Sequence, residues 1–129
     1  MCKKILEEIV NNTHKFLEQM PKSIRKNKGQ FFTSFATAIY MANMFDTERL
    51  PKDISILDPG SGSAILSAAI IERLNNINRF NSIQLTCYET DNDIQNLLVE
   101  NLKIIKQFSD IPLTYNVIND MVNVMVSLP

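Results

Sequence analysis

Two of the three glycines in this chain stand one residue apart, inside the stretch LDPGSGSAILSAAIIERL (residues 57–74). The residues before them, ISIL (54–57), form an apolar run of strand length. Those after them are apolar nearly all round over a helix's length. Strand, glycine turn and helix in that order constrain the fold more than any other feature. A run of that kind suits a strand buried on both faces of a sheet. Glycine at the bend tolerates positive φ and lets the backbone approach another group with no Cβ in the way. The helix is expected to start near Ser63, where its first N–H groups are free to bind a ligand.

The same alternation continues downstream. IQLTCY (83–88) reads as a second strand. TDNDIQNLLVENLKIIKQF reads as an amphipathic helix, with Thr90 or Asp91 as N-cap and Ile94, Leu97, Leu98, Ile105 and Phe108 on one face. LTYNVI (113–118), after Pro112, reads as a third strand. Alternating strands and helices imply an α/β fold with a parallel sheet and right-handed crossovers. Upstream, residues 3–20 show apolar positions at helical spacing, and a second helix is expected over 35–46, with Ile39, Ala42, Met44 and Phe45 as buried candidates. The chain therefore divides into an N-terminal helix with a basic connector (1–28) and an α/β domain (29–129).

Composition narrows the function classes. A net charge of −1 gives no general nucleic-acid signature, and no apolar run approaches the roughly 20 residues of a membrane span. The connector PKSIRKNKG concentrates Lys22, Arg25, Lys26 and Lys28; it is a solvated linker or a phosphate-contacting segment, and charge alone does not separate the two. Cys2 and Cys87 lack metal spacing and suggest reduced thiols and a cytoplasmic location. No metal site is expected. His14 reads as a surface or helix-packing residue, and Cys87, Met41 and Met44 read as core.

What the glycine turn holds can be narrowed further. A dinucleotide fingerprint needs glycine at its first, third and sixth positions, and counting from Gly60 the sixth is Ile65. A phosphate-cradling loop needs Gly-Lys-Ser/Thr, and no lysine follows. What remains is three acids, each following a separate expected strand: Asp58, Glu89 and Asp120. An acid at the second strand's end can accept from both ribose hydroxyls, and Asp120 from an adenine amino group. Strand-end acids also cap helices, and Asp91 and Asp93 read that way. Three carboxylates around a side-chain-free bend suit a ligand with adenosine at one end and positive charge at the other. S-adenosylmethionine has both.

GQFFTS (29–34), LDPGSGSAIL, CYETD and VIND resemble, in that order, the amino-terminal part of the N6-adenine DNA methyltransferases of bacterial restriction–modification systems. The resemblance runs from about Lys26 to Asp120, and the spacing of 29 residues from Gly29 to Asp58 is its most specific part. It implies a Rossmann-like, S-adenosylmethionine-dependent methyltransferase fold, truncated to about three parallel strands with flanking and N-terminal helices. By similarity, Thr33 meets the methionine carboxylate, with Gln30 and Phe32 beside it. Asp58, Gly60 and Gly62 surround the amino-acid moiety, Glu89 binds the ribose, and Asp120 reaches the adenine amino group. Two positions depart from the pattern. Ala64 replaces a frequent third glycine, where its methyl either narrows the pocket or favours the helix. Ser34 stands where proline is usual, which is expected to leave the next helix start less fixed.

The family's catalytic Asn/Asp/Ser-Pro-Pro-Tyr/Phe motif has no counterpart, since no two of the five prolines are adjacent. In the family that motif holds the flipped adenine, so no catalytic residue is assigned. The expectation is a fragment that holds cofactor, is inactive alone, and meets DNA through the missing C-terminal part of its parent. Loss of the later strands leaves ISIL as an open apolar edge. The fragment is expected to self-associate there, or to cover the edge with its N-terminal helix or with MVNVMVSL (121–128). Two other functions stay open: a methyltransferase acting on RNA, protein or a small molecule, and a non-catalytic interaction module.

Overall fold

The structure, a computed structural model, describes residues 4–23 and 32–119. Its helices are α1 (Ile5–Glu18), α2 (Phe35–Ala42), α3 (Ile65–Ile77) and α4 (Asn92–Phe108), and its strands are β1 (Asp53–Asp58), β2 (Ser82–Tyr88) and β3 (Leu113–Ile118). The strands form one sheet in the order β1-β2-β3, parallel throughout. Each crossover carries one helix, α3 between β1 and β2, and α4 between β2 and β3.

The register explains the core. Ile54 pairs with Ile83 and Ile83 with Leu113; Ile56 pairs with Leu85 and Leu85 with Tyr115. Because side chains alternate along a strand, these residues share one face of the sheet. That face is buried and packs into one cluster with Ile71 and Leu74 of α3 and with Leu98, Leu102 and Ile105 of α4. The opposite face carries Ser55, Gln84, Thr114 and Asn116, all exposed, and Leu57, which is 55% exposed. The expectation that β1 is buried on both faces is therefore corrected. Polar residues make up most of that face, and among the described residues no element covers Ser55, Gln84, Thr114 or Asn116.

α1 packs across α3 and α4, and its Ile5, Leu6 and Ile9 belong to the same core cluster. The side chain of Lys4, its N-cap residue, does not cap its N-terminus. Instead Glu72 on α3 accepts a hydrogen bond from the Leu6 N–H at 3.2 Å, so a neighbouring helix supplies the cap. With α1 on the helical side, it does not cover the outer edge of β1, which is the sheet's terminal strand among the described residues. The segment 121–128, the other expected cover, lies outside the described residues.

α2 ends at Ala42 rather than near residue 46, and Ile39, Met41, Met44 and Phe45 are exposed rather than core. Two arginines fasten the chain that follows. Arg73 donates to the carbonyls of Ala42 and Phe45, both at 2.7 Å, while Arg79 donates to those of Thr47 and Leu50 and lies over the Phe80 ring. α2 starts firmly, contrary to the expectation for Ser34. Its hydroxyl oxygen caps the helix by accepting from the Thr37 N–H at 3.2 Å and donates to the Thr37 hydroxyl at 2.8 Å. Serine does here what proline does by ring constraint: it fixes the first turn.

Candidate functional site

The glycine turn lies at the carboxyl end of β1, beside the carboxyl end of β2, where ligands collect in open α/β sheets. Its conformation is left-handed twice. Gly62 has φ +54° and Ala64 has φ +71°, with Ser63 between them. The helix begins at Ile65, two residues later than expected, because Ala64 takes the left-handed N-cap position. Ala64 thus keeps the backbone shape of a glycine and favours the turn rather than the helix. For an L-residue that shape costs about 1–2 kcal/mol. Its methyl is fully buried, which offsets part of that cost.

The neighbouring strand and helix hold the turn in place. The Ser61 N–H donates to the Tyr88 carbonyl at 3.0 Å, and the Gly62 N–H donates to Glu89 Oε1 at 2.7 Å. Glu89 Oε2 accepts from the Asp91 N–H at 3.0 Å. The Glu89 N–H donates to the Ile118 carbonyl at 3.0 Å, so the end of β3 fixes the residue that fixes the turn. On the other side, Asn101 of α4 donates to the Ser63 carbonyl at 2.8 Å. Asn101 was not among the residues expected here. The signal was an asparagine on the apolar stripe of α4, beside Leu97, Leu98 and Leu102.

Asp58 sits half-buried at the end of β1. Its Oδ2 accepts from the Ser67 hydroxyl at 2.8 Å and its carbonyl from the Ser61 hydroxyl at 2.9 Å. In register it lies opposite Cys87, two residues before Glu89, so both acids stand at adjoining strand ends. Cys87 is fully buried between them, and burial pushes its thiol up to about 11, against a smaller lowering by the Ser61 hydrogen bond. At that value it is an inert packing group.

The earlier motif reaches the same place. A Cβ built on Gly62 would lie 3.7 Å from the Phe32 ring, so Phe32 closes over the turn although 30 residues of chain separate them. Thr33 follows, partly buried. Gly60 has open space around its α-carbon. Gly29, Gln30 and Asp120 lie outside the described residues, as do Arg25, Lys26 and Lys28 of the basic connector. Of the eight residues expected at the site, the structure brings Phe32, Asp58, Gly62 and Glu89 to one bend, with Thr33 and Gly60 adjoining in the chain.

These groups fit an adenosyl ligand. Glu89 is ionisable and half-buried, and a carboxylate offers about four acceptor positions, two of which the Gly62 and Asp91 N–H groups use. The rest can accept from a pair of vicinal hydroxyls. Gly60, with open space where a side chain would stand, admits close approach, and Phe32 supplies an apolar wall beside Gly62. A separate cavity of about 260 Å³ lies along β1 and α3, lined mainly by apolar residues including Ile56, Leu57, Leu66 and Ile70, and reaching Asp58 and Pro59 at one end. Among the described residues no group of three His, Cys, Asp or Glu side chains could hold a metal, and no helix is long and apolar enough to cross a membrane.

No protein-family model matches the chain. Two sequence relatives do. The Type II methyltransferase M.PstI of Providencia stuartii is 34% identical over 97 residues, 75% of this chain. M.BsuBI of Bacillus subtilis, another Type II methyltransferase, is 34% identical over 89 residues, 67% of this chain. In each case the match spans 17% of the relative's length. Among solved structures, one assigned as a class I S-adenosylmethionine-dependent methyltransferase from Listeria monocytogenes superposes with TM-score 0.53 at 19% identity, covering 69% of this chain and 26% of that one. One assigned as an O-methyltransferase from Klebsiella pneumoniae superposes with TM-score 0.56 at 14% identity, covering 99% and 49%. The fold is that of the S-adenosylmethionine-dependent methyltransferases.

Proposed function

We propose that this chain, a sequence relative of the Type II methyltransferases over three quarters of its length, is the S-adenosylmethionine-binding part of a restriction–modification DNA methyltransferase that modifies adenine at N6. The observation that carries the reading is the meeting of Phe32 with Gly62 in front of Glu89: two motifs distant in sequence form one bend bounded by an acid and an aromatic ring.

When bound, S-adenosylmethionine supplies an electrophilic methyl group on a sulfonium. The chain's own residues bind and orient it. The Glu89 carboxylate accepts from the ribose hydroxyls, each charge-assisted bond contributing on the order of 1.5–3 kcal/mol. Gly60 and Gly62 leave room for the amino-acid moiety beside Asp58, and Phe32 and Thr33, with Gln30, enclose its methionine end. Asp120 accepts from the adenine amino group. Nothing in the sequence places a target base, because the chain has no Pro-Pro pair. In this reading the isolated chain binds cofactor in the cytoplasm and transfers no methyl group.

The position of β1 at the sheet's edge among the described residues supports the same reading. In doubly wound sheets the first strand is internal, with strand order 3-2-1-4, and here β1 is terminal among the described residues. The cavity and the exposed Leu57 beside that edge are where a fourth strand and its helix would pack. In the absence of that polypeptide, the edge is where two copies would associate. DNA contact then belongs to the remainder of the parent protein.

Titration calorimetry of the chain with S-adenosylmethionine tests the reading. Measurable, weak binding that disappears in Glu89→Ala is expected. Equal affinity in wild type and Glu89→Ala would remove the ribose assignment, and no binding at all would leave only the fold.

A further inference from the structure

We propose that Asn101 is a positioning residue for the glycine turn, and that through it the docking of α1 and the shape of the ligand site form one coupled equilibrium. For the ligand side this rests on the cofactor reading above; for the turn itself it rests on geometry alone.

The turn carries two left-handed residues, of which Ala64 is strained. Strained backbone persists only where its surroundings over-determine it. The Ser63 peptide lies between the two, and its residue is 2% exposed. Its carbonyl accepts from Asn101 Nδ2 at 2.8 Å, a bond buried at both ends. Left without that donor, a buried carbonyl carries the cost of its desolvation uncompensated. That cost adds to the strain at Ala64, so loss of the bond lets the turn relax.

Asn101 is in turn oriented by α1. It is fully buried. Its Oδ1 accepts from Asn12 Nδ2 at 2.7 Å, and its second amide hydrogen points to Thr13 Oγ1 at 3.4 Å. The Thr13 hydroxyl donates its own hydrogen to the Ile9 carbonyl at 2.8 Å, which leaves its oxygen as an acceptor toward Asn101. The amide has one satisfactory orientation, because a flipped group would set its oxygen against the Ser63 carbonyl. Asn12 and Thr13 are adjacent on α1, so undocking that helix releases both groups at once. By linkage, whatever the occupied turn does to α1, docked α1 does equally to the affinity of the turn.

Hydrogen exchange with residue resolution tests this without ligand. The Gly62 and Ala64 N–H groups are both hydrogen-bonded in the turn, to Glu89 and to the Ser61 carbonyl. In Asn101→Leu both should exchange at least tenfold faster than in wild type, while the Leu85 N–H in the middle of β2 slows or quickens only with overall stability. Asn12→Ala, which removes the bond to Asn101 and an exposed one to Glu100 Oε1 at 3.2 Å and leaves Asn101 in place, should raise turn exchange about threefold with Leu85 unchanged. Should Asn101→Leu fail to fold, Asn12→Ala decides alone. Turn exchange that follows Leu85 in lockstep, or equals wild type, overturns the proposal. The ligand arm is separate: S-adenosylmethionine should protect the α1 amides of Asn12–Lys15 in wild type and bind Asn101→Leu at least tenfold more weakly. If wild type binds no S-adenosylmethionine but the exchange differences appear, the cofactor reading falls and the coupling stands.

Discussion

The Gly62 N–H donates to the Glu89 carboxylate across the ends of two neighbouring strands, at 2.7 Å. An acid expected only to meet a ligand therefore also braces the bend that would hold it. Glu89→Gln keeps one acceptor but turns an amide NH₂ toward either Gly62 or Asp91, both of which donate. It should lower stability by about 1.5–3 kcal/mol, the worth of a bond to a charged group. Urea denaturation of Glu89→Gln and Glu89→Asp checks this, and a loss below about 0.5 kcal/mol in Glu89→Gln would mean the bond is idle.

Ala64 predicts an asymmetric response to substitution. Ala64→Gly relieves the left-handed strain but removes a buried methyl worth about 0.8 kcal/mol. The two nearly cancel, so stability should change by less than about 1 kcal/mol. Ala64→Val adds β-branching at positive φ and overpacks the site, and should cost about 2 kcal/mol or more. Thermal melts of the pair distinguish a conformational requirement from a simple volume limit.

Glu72 gives a pH dependence of defined sign. Burial raises its carboxyl above the ordinary range, opposed by the Leu6 and Ile5 N–H groups and reinforced by Glu7 nearby. A carboxyl raised on folding holds its proton more tightly in the folded state. The stability it lends is present below the ordinary carboxyl range and falls as pH rises through the folded value. Glu72→Gln retains an acceptor for the Leu6 N–H and should flatten that decline, equalling or exceeding wild type at pH 7. Urea midpoints between pH 4 and 7 measure it; parallel curves for the two proteins would contradict it.

The thiol of Cys87, pushed up to about 11 by burial, should not react with iodoacetamide at pH 8 in the folded protein. In a Cys2→Ser background, labelling should begin only where urea unfolds the chain. Prompt labelling in buffer would mean that the end of β2 opens locally.

Much of the architecture was legible because periodicity and punctuation are local. The alternation of strand and helix, the Asp91 N-cap and the glycine bend follow from residues within a few positions of one another. The one-sided sheet was legible too, in Ser55, Gln84, Thr114 and Asn116, but the short apolar run ISIL outweighed them. Met44 and Phe45 were misplaced because hydrophobicity says that a side chain wants a partner, not that this chain provides one.

Residues close together along the chain already specify which segments become strands, where the backbone must bend and which acids follow strands, since those depend on short-range sterics and on side-chain alternation. Closure of the fold is what makes Glu89 brace Gly62, Ala64 take a glycine's conformation, Glu72 cap α1 and Asn101 tie α1 to the turn. Each of these joins groups far apart along the chain, or imposes a strain that local preference opposes. Burial makes unpaired polar groups costly, and that cost becomes defined only when the whole domain has closed around them.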